Sequence, residues 1–237
     1  MSETPPRDRA WKSVSAVAIA LVLGMALLWL GVPRLVAAFL MLPGDSTLSR
    51  LQEQQAIAPN ELETVIESRA AALRWVSSGR LYTDRALGRL LQEEGTGPGA
   101  QAKNSSRFDQ AIRDLKAGLA VAPADPYAWA RLALAKHLVD GPSPEVASAL
   151  VMSLLTGPYE PDMIPLRLEL AFENWAHLPQ QDRELIDQQV RYAWRRSKKR
   201  LLRMAREPER LAVIRAALAR DPRILAAFEK RFSKLSR

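Results

Sequence analysis

The sequence predicts an all-α protein: a single N-terminal transmembrane helix followed by a degenerate α-solenoid of antiparallel helix pairs. Three observations lead there. Ala and Leu together make 71 of the 237 residues, against 27 for Val, Ile and Thr. Ala and Leu lose little rotamer freedom in a helix, whereas β-branched side chains lose χ1 freedom. Twenty consecutive uncharged residues run from Ser13 to Val32. Beyond residue 50 the chain reads as short helical runs with caps and brief turns, and no segment alternates polarity as a half-buried strand would.

The apolar run is about 30 Å long at 1.5 Å per residue, the thickness of a bilayer hydrocarbon core. Trp11 and Trp29 lie near its ends, where indole rings favour the headgroup level. Arg34 follows Pro33 and marks the far interface, since a guanidinium at the bilayer centre costs about 2.5–3.5 kcal/mol. A cleaved signal peptide needs a shorter apolar region; its best cleavage site here would be Val36-Ala37-Ala38. The expected layout is therefore a cytoplasmic tail over 1–12, a transmembrane helix over 13–33 and a juxtamembrane linker over 34–49. A helical domain then fills 50–237. Leu35–Leu42 lies along the far surface or extends the helix. Arg7, Arg9 and Lys12 precede the span; Arg34 and Arg50 follow it. That margin places the N-terminus in the cytoplasm and the helical domain in the periplasm of a bacterial inner membrane.

Pro43-Gly44-Asp45-Ser46 is expected to end the first helix. Asn60-Glu61-Leu62-Glu63 fits a capping box opening a helix through about Val76. Ser78-Gly79 separates it from a helix over about 80–94. Gly95 to Ser105 reads as a loop, and its glycines lack the Gly-Lys-Ser/Thr of a phosphate-binding loop. Ser106 caps a helix reaching Val121. Asp125-Pro126 and Ser143-Pro144 each place an N-cap before a proline at the first helical position, for helices ending near Val139 and Leu155. Pro161 starts a segment to His177, Pro179 a long helix to Ala205, and Pro208 and Asp221-Pro222 the last two.

Within this succession, Ala111, Leu115, Gly118 and Pro123 stand at small, large, small and closing-proline positions of one helix. Trp129, Leu132 and Ala133 supply an aromatic, a leucine and a small residue in the next. The stretch 107–158 resembles the tetratricopeptide repeat family on these residues, with Ala147, Val151 and Pro158 continuing more loosely. Small residues at such places let antiparallel helices approach closely. Ile214, Ala217, Leu218, Pro222 and Phe228 echo Leu115, Gly118, Leu119, Pro123 and Trp129, each at a separation of 99 residues, close to three repeats of about 33–34. The resemblance implies a protein-protein interaction scaffold, as in polysaccharide synthesis and export or cytochrome c maturation. With no cysteine to handle thiols, polysaccharide assembly is the better expectation. A cytoplasm-facing membrane-anchored adaptor and a helical enzyme of unrecognised type are the alternatives.

The chemistry available is narrow. No cysteine is present and only His137 and His177 represent histidine. Disulfides, thiolate metal sites and cysteine nucleophiles are excluded, and a Ser-His-Asp triad has little to draw on. No catalytic, metal or cofactor residue is expected. The paired carboxylates Glu63/Glu67 and Glu169/Glu173 have no matching nucleophile. The charge is unevenly placed: residues 44–190 carry 14 Lys/Arg against 20 Asp/Glu, whereas 191–237 carry 16 against 4. Val190, Trp194, Ser197, Leu201 and Met204 form a seam along the most basic helix. Arg191, Arg195, Arg196, Lys198, Lys199, Arg200 and Arg203 surround it as candidate contacts to an anionic surface. Expected partners are the lipid bilayer, an envelope protein, and an anionic lipid or acidic polysaccharide; nucleic acid is not expected.

Overall fold

The computed structural model describes residues 7–53, 55–92 and 100–235. Among these residues the protein is all-α, with eleven α-helices and no strand. It divides into two compact units, residues 1–77 and 78–237.

The first unit holds α1 (Arg7–Gln52) and α2 (Pro59–Leu73). α1 does not stop at Pro43-Gly44: it continues to Gln52 with Pro33 and Pro43 inside it. The helix end expected at Pro43-Gly44-Asp45-Ser46 is therefore misplaced, and Leu35–Leu42 extends the helix. An interior proline costs about 3 kcal/mol in an isolated helix, and at Pro43 the contacts of the adjoining Met41, Gly44 and Asp45 with α2 offset it. The two helices run antiparallel, with Arg50 beside Glu61, Gly44 against Val65 and Ser68, and Asp45 beside Arg69. Arg69 is buried, donates Nη1 to the Met41 carbonyl at 2.7 Å and pairs with the Asp45 carboxylate. The capping box also shifts. Glu61, not Glu63, reaches back, accepting from the Ala58 backbone N–H at 2.8 Å. With Arg50 beside it, this holds the Glu61 carboxyl below the usual carboxylate range.

Exposure changes along α1. The described side chains from Ala16 to Leu35 are exposed apart from the half-buried Pro33, and burial begins at Ala37 and returns at Gly44, Thr47 and Leu48. The bare stretch is 20 residues, or about 30 Å.

The second unit stacks α3 (Gly79–Leu91), α4 (Ala100–Val121), α5 (Pro126–Asp140), α6 (Pro144–Thr156), α7 (Ile164–Glu173), α8 (Arg183–Arg196), α9 (Lys198–Met204), α10 (Pro208–Leu218) and α11 (Pro222–Leu235). Helices α3 to α8 each pack on the next, α10 packs back on α8 and on α11, and α3, α5 and α7 also touch in a row. That pattern is solenoid-like, each pair covering the apolar face of the last. The expected caps form: Asp125 accepts from the N–H groups of Tyr127 and Ala128, Ser143 from Val146, and Asp221 from Arg223 and Ile224.

Three boundaries differ from expectation. α4 begins at Ala100, six residues before the expected cap Ser106, so residues 100–105 are helix; Gly95, Gly97 and Gly99 lie outside the described residues. The Pro161 segment is a 3-10 turn leading into α7 and a second one after it. The long helix to Ala205 is broken at Ser197 (φ −133°, ψ 40°). A continuous helix there would set Arg195 and Arg196 one turn from Lys199 and Arg200, and such like-charge pairs cost a few tenths of a kcal/mol each. The break still turns Leu201, Leu202 and Met204 into the core.

Candidate functional site

Two sets of residues were singled out by the sequence, and the structure treats them differently. The repeat-packing set gathers where α3, α4, α5 and α6 meet. Ala111, Leu115, Gly118, Leu132 and Ala133 are buried, Trp129 is half-buried and Pro123 is exposed. Pro123 nevertheless closes the turn, because its carbonyl accepts the Trp129 indole N–H at 2.8 Å. Four of the five echo residues are buried too: Ile214, Ala217 and Leu218 on α10 and Phe228 on α11 are inaccessible, while Pro222, like Pro123, is exposed. Trp194 meets Phe228 edge-on at 5.7 Å between ring centroids.

Gly118 shows why its position is small. A Cβ there would lie 3.1 Å from the Gly79 carbonyl and from Tyr82 Cβ. Gly to a side-chain residue inside a helix ordinarily gains about 1 kcal/mol, whereas overpacking costs about 1–3 kcal/mol. Gly118→Val is therefore expected to destabilise the second unit by about 1–2 kcal/mol in urea unfolding. Gly118→Ala, whose single methyl needs a shift of a few tenths of an ångström, is expected to change it far less.

Polar braces tie successive helices, and the sequence had not marked them. Asp114 on α4 is buried and takes both Arg85 and Arg89 of α3. Arg167 on α7 is fully buried. It donates Nε to Ser153 Oγ at 3.0 Å, Nη2 to the Ser153 carbonyl at 2.8 Å and Nη1 to the Gly157 carbonyl at 2.8 Å. Ser153 Oγ in turn donates to the Pro126 carbonyl at 2.7 Å. Burial lowers the pKa of Arg167. The one legible hint is an arginine among apolar neighbours in Ile-Pro-Leu-Arg-Leu.

Tyr127 donates its hydroxyl to Glu160 at 2.7 Å. Burial, then that carboxylate, push the phenol up to about 12 from 10.0. The folded state thus holds this proton where the unfolded chain releases it, so the contribution is full below pH 10 and is lost as pH rises towards 12. Tyr127→Phe is expected to flatten the alkaline loss of stability in that window, at a cost of about 1 kcal/mol at neutral pH.

The seven basic candidates do not act as one set. Arg191 is half-buried and donates to the Ala217 carbonyl at 3.3 Å. Arg200 reaches Glu169 at 3.4 Å, and Lys198 lies over the Trp194 ring at 5.6 Å. Arg195, Arg196, Lys199 and Arg203 are exposed.

His137 Nε2 contacts Glu173 at 2.9 Å, and His177 is exposed. A cleft of about 290 Å³ between α7 and α10 is lined by Phe172, Glu173, Trp175, Glu207, Glu209, Arg210 and Val213. Arg210 contacts both Glu207, at 2.6 Å, and Glu173, at 3.7 Å. Among the described residues no group of three or more His, Asp or Glu is placed to hold a metal ion.

Among the described residues, fold and site together define an all-helical protein in which neighbouring helices pack in pairs and one N-terminal helix, within Ala16–Leu51, is long and apolar enough to cross a membrane. No protein-family model, curated protein or solved structure matches the chain.

Proposed function

We propose that this chain is a single-pass protein of the bacterial inner membrane whose tetratricopeptide-like stack is a protein-protein interaction scaffold in envelope assembly, in polysaccharide synthesis or export. The N-terminus lies in the cytoplasm and the stack in the periplasm. The observation that carries the reading is the close packing of α3 on α4 and of α5 on α6, with Gly118 against Gly79 and Tyr82 of α3 and with Ala111 and Ala133 fully buried. Stacked pairs of this kind present an extended surface rather than an enclosed pocket.

The packing of α1 on α2 supports a retained anchor. Cleavage after Ala38 would separate Ala37 from the hairpin and strip the bare 20-residue stretch from α1. What remains would begin inside the helix that covers α2.

Two experiments test the reading. A reporter active only in the periplasm, fused after Arg237, is expected to be active; an inactive fusion reverses the topology. Cross-linking in intact cells and purification in detergent are expected to recover an envelope protein, lost on Gly118→Val, which distorts the stack. Recovery of none above background overturns the scaffold.

A further inference from the structure

We infer that the second unit carries a lipid-headgroup face, built jointly by the end of α8, by α9 and by α11, that docks it on an anionic bilayer. The inference rests on the proposed membrane anchor and adds a second, electrostatic contact to it.

The case begins with an accounting of charge. Residues 191–237 hold four carboxylates, and three are occupied: Glu207 by Arg210, Glu229 by Arg215, and Asp221 as the cap of α11. Acidic residues earlier in the unit take only a few more cations, Glu169 holding Arg200 and Glu184 holding Arg220. Arg195, Arg196, Lys199, Arg203, Arg206, Arg223, Lys230 and Lys234 are all exposed and form no ion pair among the described residues. Internal neutralisation of the basic tail, the simplest explanation of its sequence, therefore fails for eight of its cations.

The fold then brings two segments together that lie some thirty positions apart. Lys198 Nζ stands 5.6 Å from the centroid of the Trp194 ring, and Arg231 Cζ stands 5.9 Å from the same centroid. Trp194 itself packs on Phe228 of α11. A cation from the start of α9 and one from α11 thus lie over the same buried ring, which joins the two segments. Helix ends contribute as well, since Arg195 and Arg196 occupy the last turn of α8, where the helix dipole favours positive charge.

The character of the surface selects the partner. Protein interfaces rest on a few buried aromatic or aliphatic anchors. Between 191 and 235 the only exposed large apolar side chain among the described residues is Leu235. Dense charge without anchors suits a headgroup layer, where each Lys or Arg near the surface raises affinity about fivefold. The anchor supplies the rest, because a tethered unit meets the bilayer at high effective concentration.

The absence of cysteine makes the test clean. Ala227 is exposed on α11 one turn from Arg223, Lys230 and Arg231, and Ala227→Cys gives the full chain one labelling site without removing charge. The labelled chain is placed in phosphatidylcholine nanodiscs with or without phosphatidylglycerol, and energy transfer to a headgroup dye is read. Strong transfer is expected in the anionic discs, falling to the level of neutral discs at about 0.5 M salt, where the screening length is only a few ångströms. The combined variant Arg195→Glu, Arg196→Glu, Lys199→Glu and Arg203→Glu is expected to lose the transfer with its circular dichroism unchanged. Equal transfer in neutral and anionic discs by a chain that has entered both overturns the headgroup face and leaves the anchor standing. That result assigns the charge to an acidic protein or polysaccharide. A chain that enters neither disc overturns the anchor, and the headgroup face with it.

Discussion

Arg167→Ala is expected to cost about 3–5 kcal/mol, the largest single-site effect in the second unit. The substitution empties the space of a fully buried long side chain and leaves the Gly157 carbonyl without its guanidinium donor. Urea unfolding of the full chain in mild detergent, followed by tryptophan fluorescence, measures the loss. Arg167→Met separates the two causes. It keeps most of the volume and removes a charge whose burial is costly, and replacing buried ionic groups by apolar ones of similar size is often neutral. Methionine is expected to restore most of the stability. If it is as damaging as alanine, the hydrogen bonds to Ser153 and Gly157 rather than the filled space hold α6 to α7.

In the first unit, Asp45→Asn is expected to cost about 2–4 kcal/mol, because it strips the counter-ion from a buried guanidinium. The reverse change, Arg69→Met, is expected to cost less than about 1 kcal/mol. The asymmetry comes from exposure: Arg69 is 1% exposed and Asp45 45%, so water takes over for the carboxylate and not for the arginine. Hydrogen exchange of the α2 amides reads this locally. Asp45→Asn is expected to speed exchange about a hundredfold, since 1.4 kcal/mol is a factor of ten. A negligible effect of both variants would mean that α1 and α2 are held by apolar packing alone.

Residue order alone determined whatever depends on near neighbours along the chain. The apolar run after Ser13, the all-α class, and the caps at Asp125, Ser143 and Asp221 are local matters of propensity and of one side chain reaching one turn ahead. The small residues Ala111, Gly118 and Ala133 were legible as contact positions through the resemblance to the tetratricopeptide repeat, in which small residues let paired helices approach. The charge excess after residue 190 was equally plain.

Only the tertiary structure decided the cases in which a distant partner outweighs a local cost. Pro43 should end a helix by its own chemistry, and α1 passes through it because α2 covers that turn and Arg69 bonds to the Met41 carbonyl. The seam through Val190, Trp194, Leu201 and Met204 reads as one helix, yet it bends at Ser197. The partition of the basic tail was hidden for the same reason. Arg191, Arg200 and Arg220 find Ala217, Glu169 and Glu184 across the fold, while Arg195, Arg196, Lys199 and Arg203 face solvent. A charge count along the chain carries no information about distance, and it is the distance to the nearest opposite charge that settles which cations remain available to a partner.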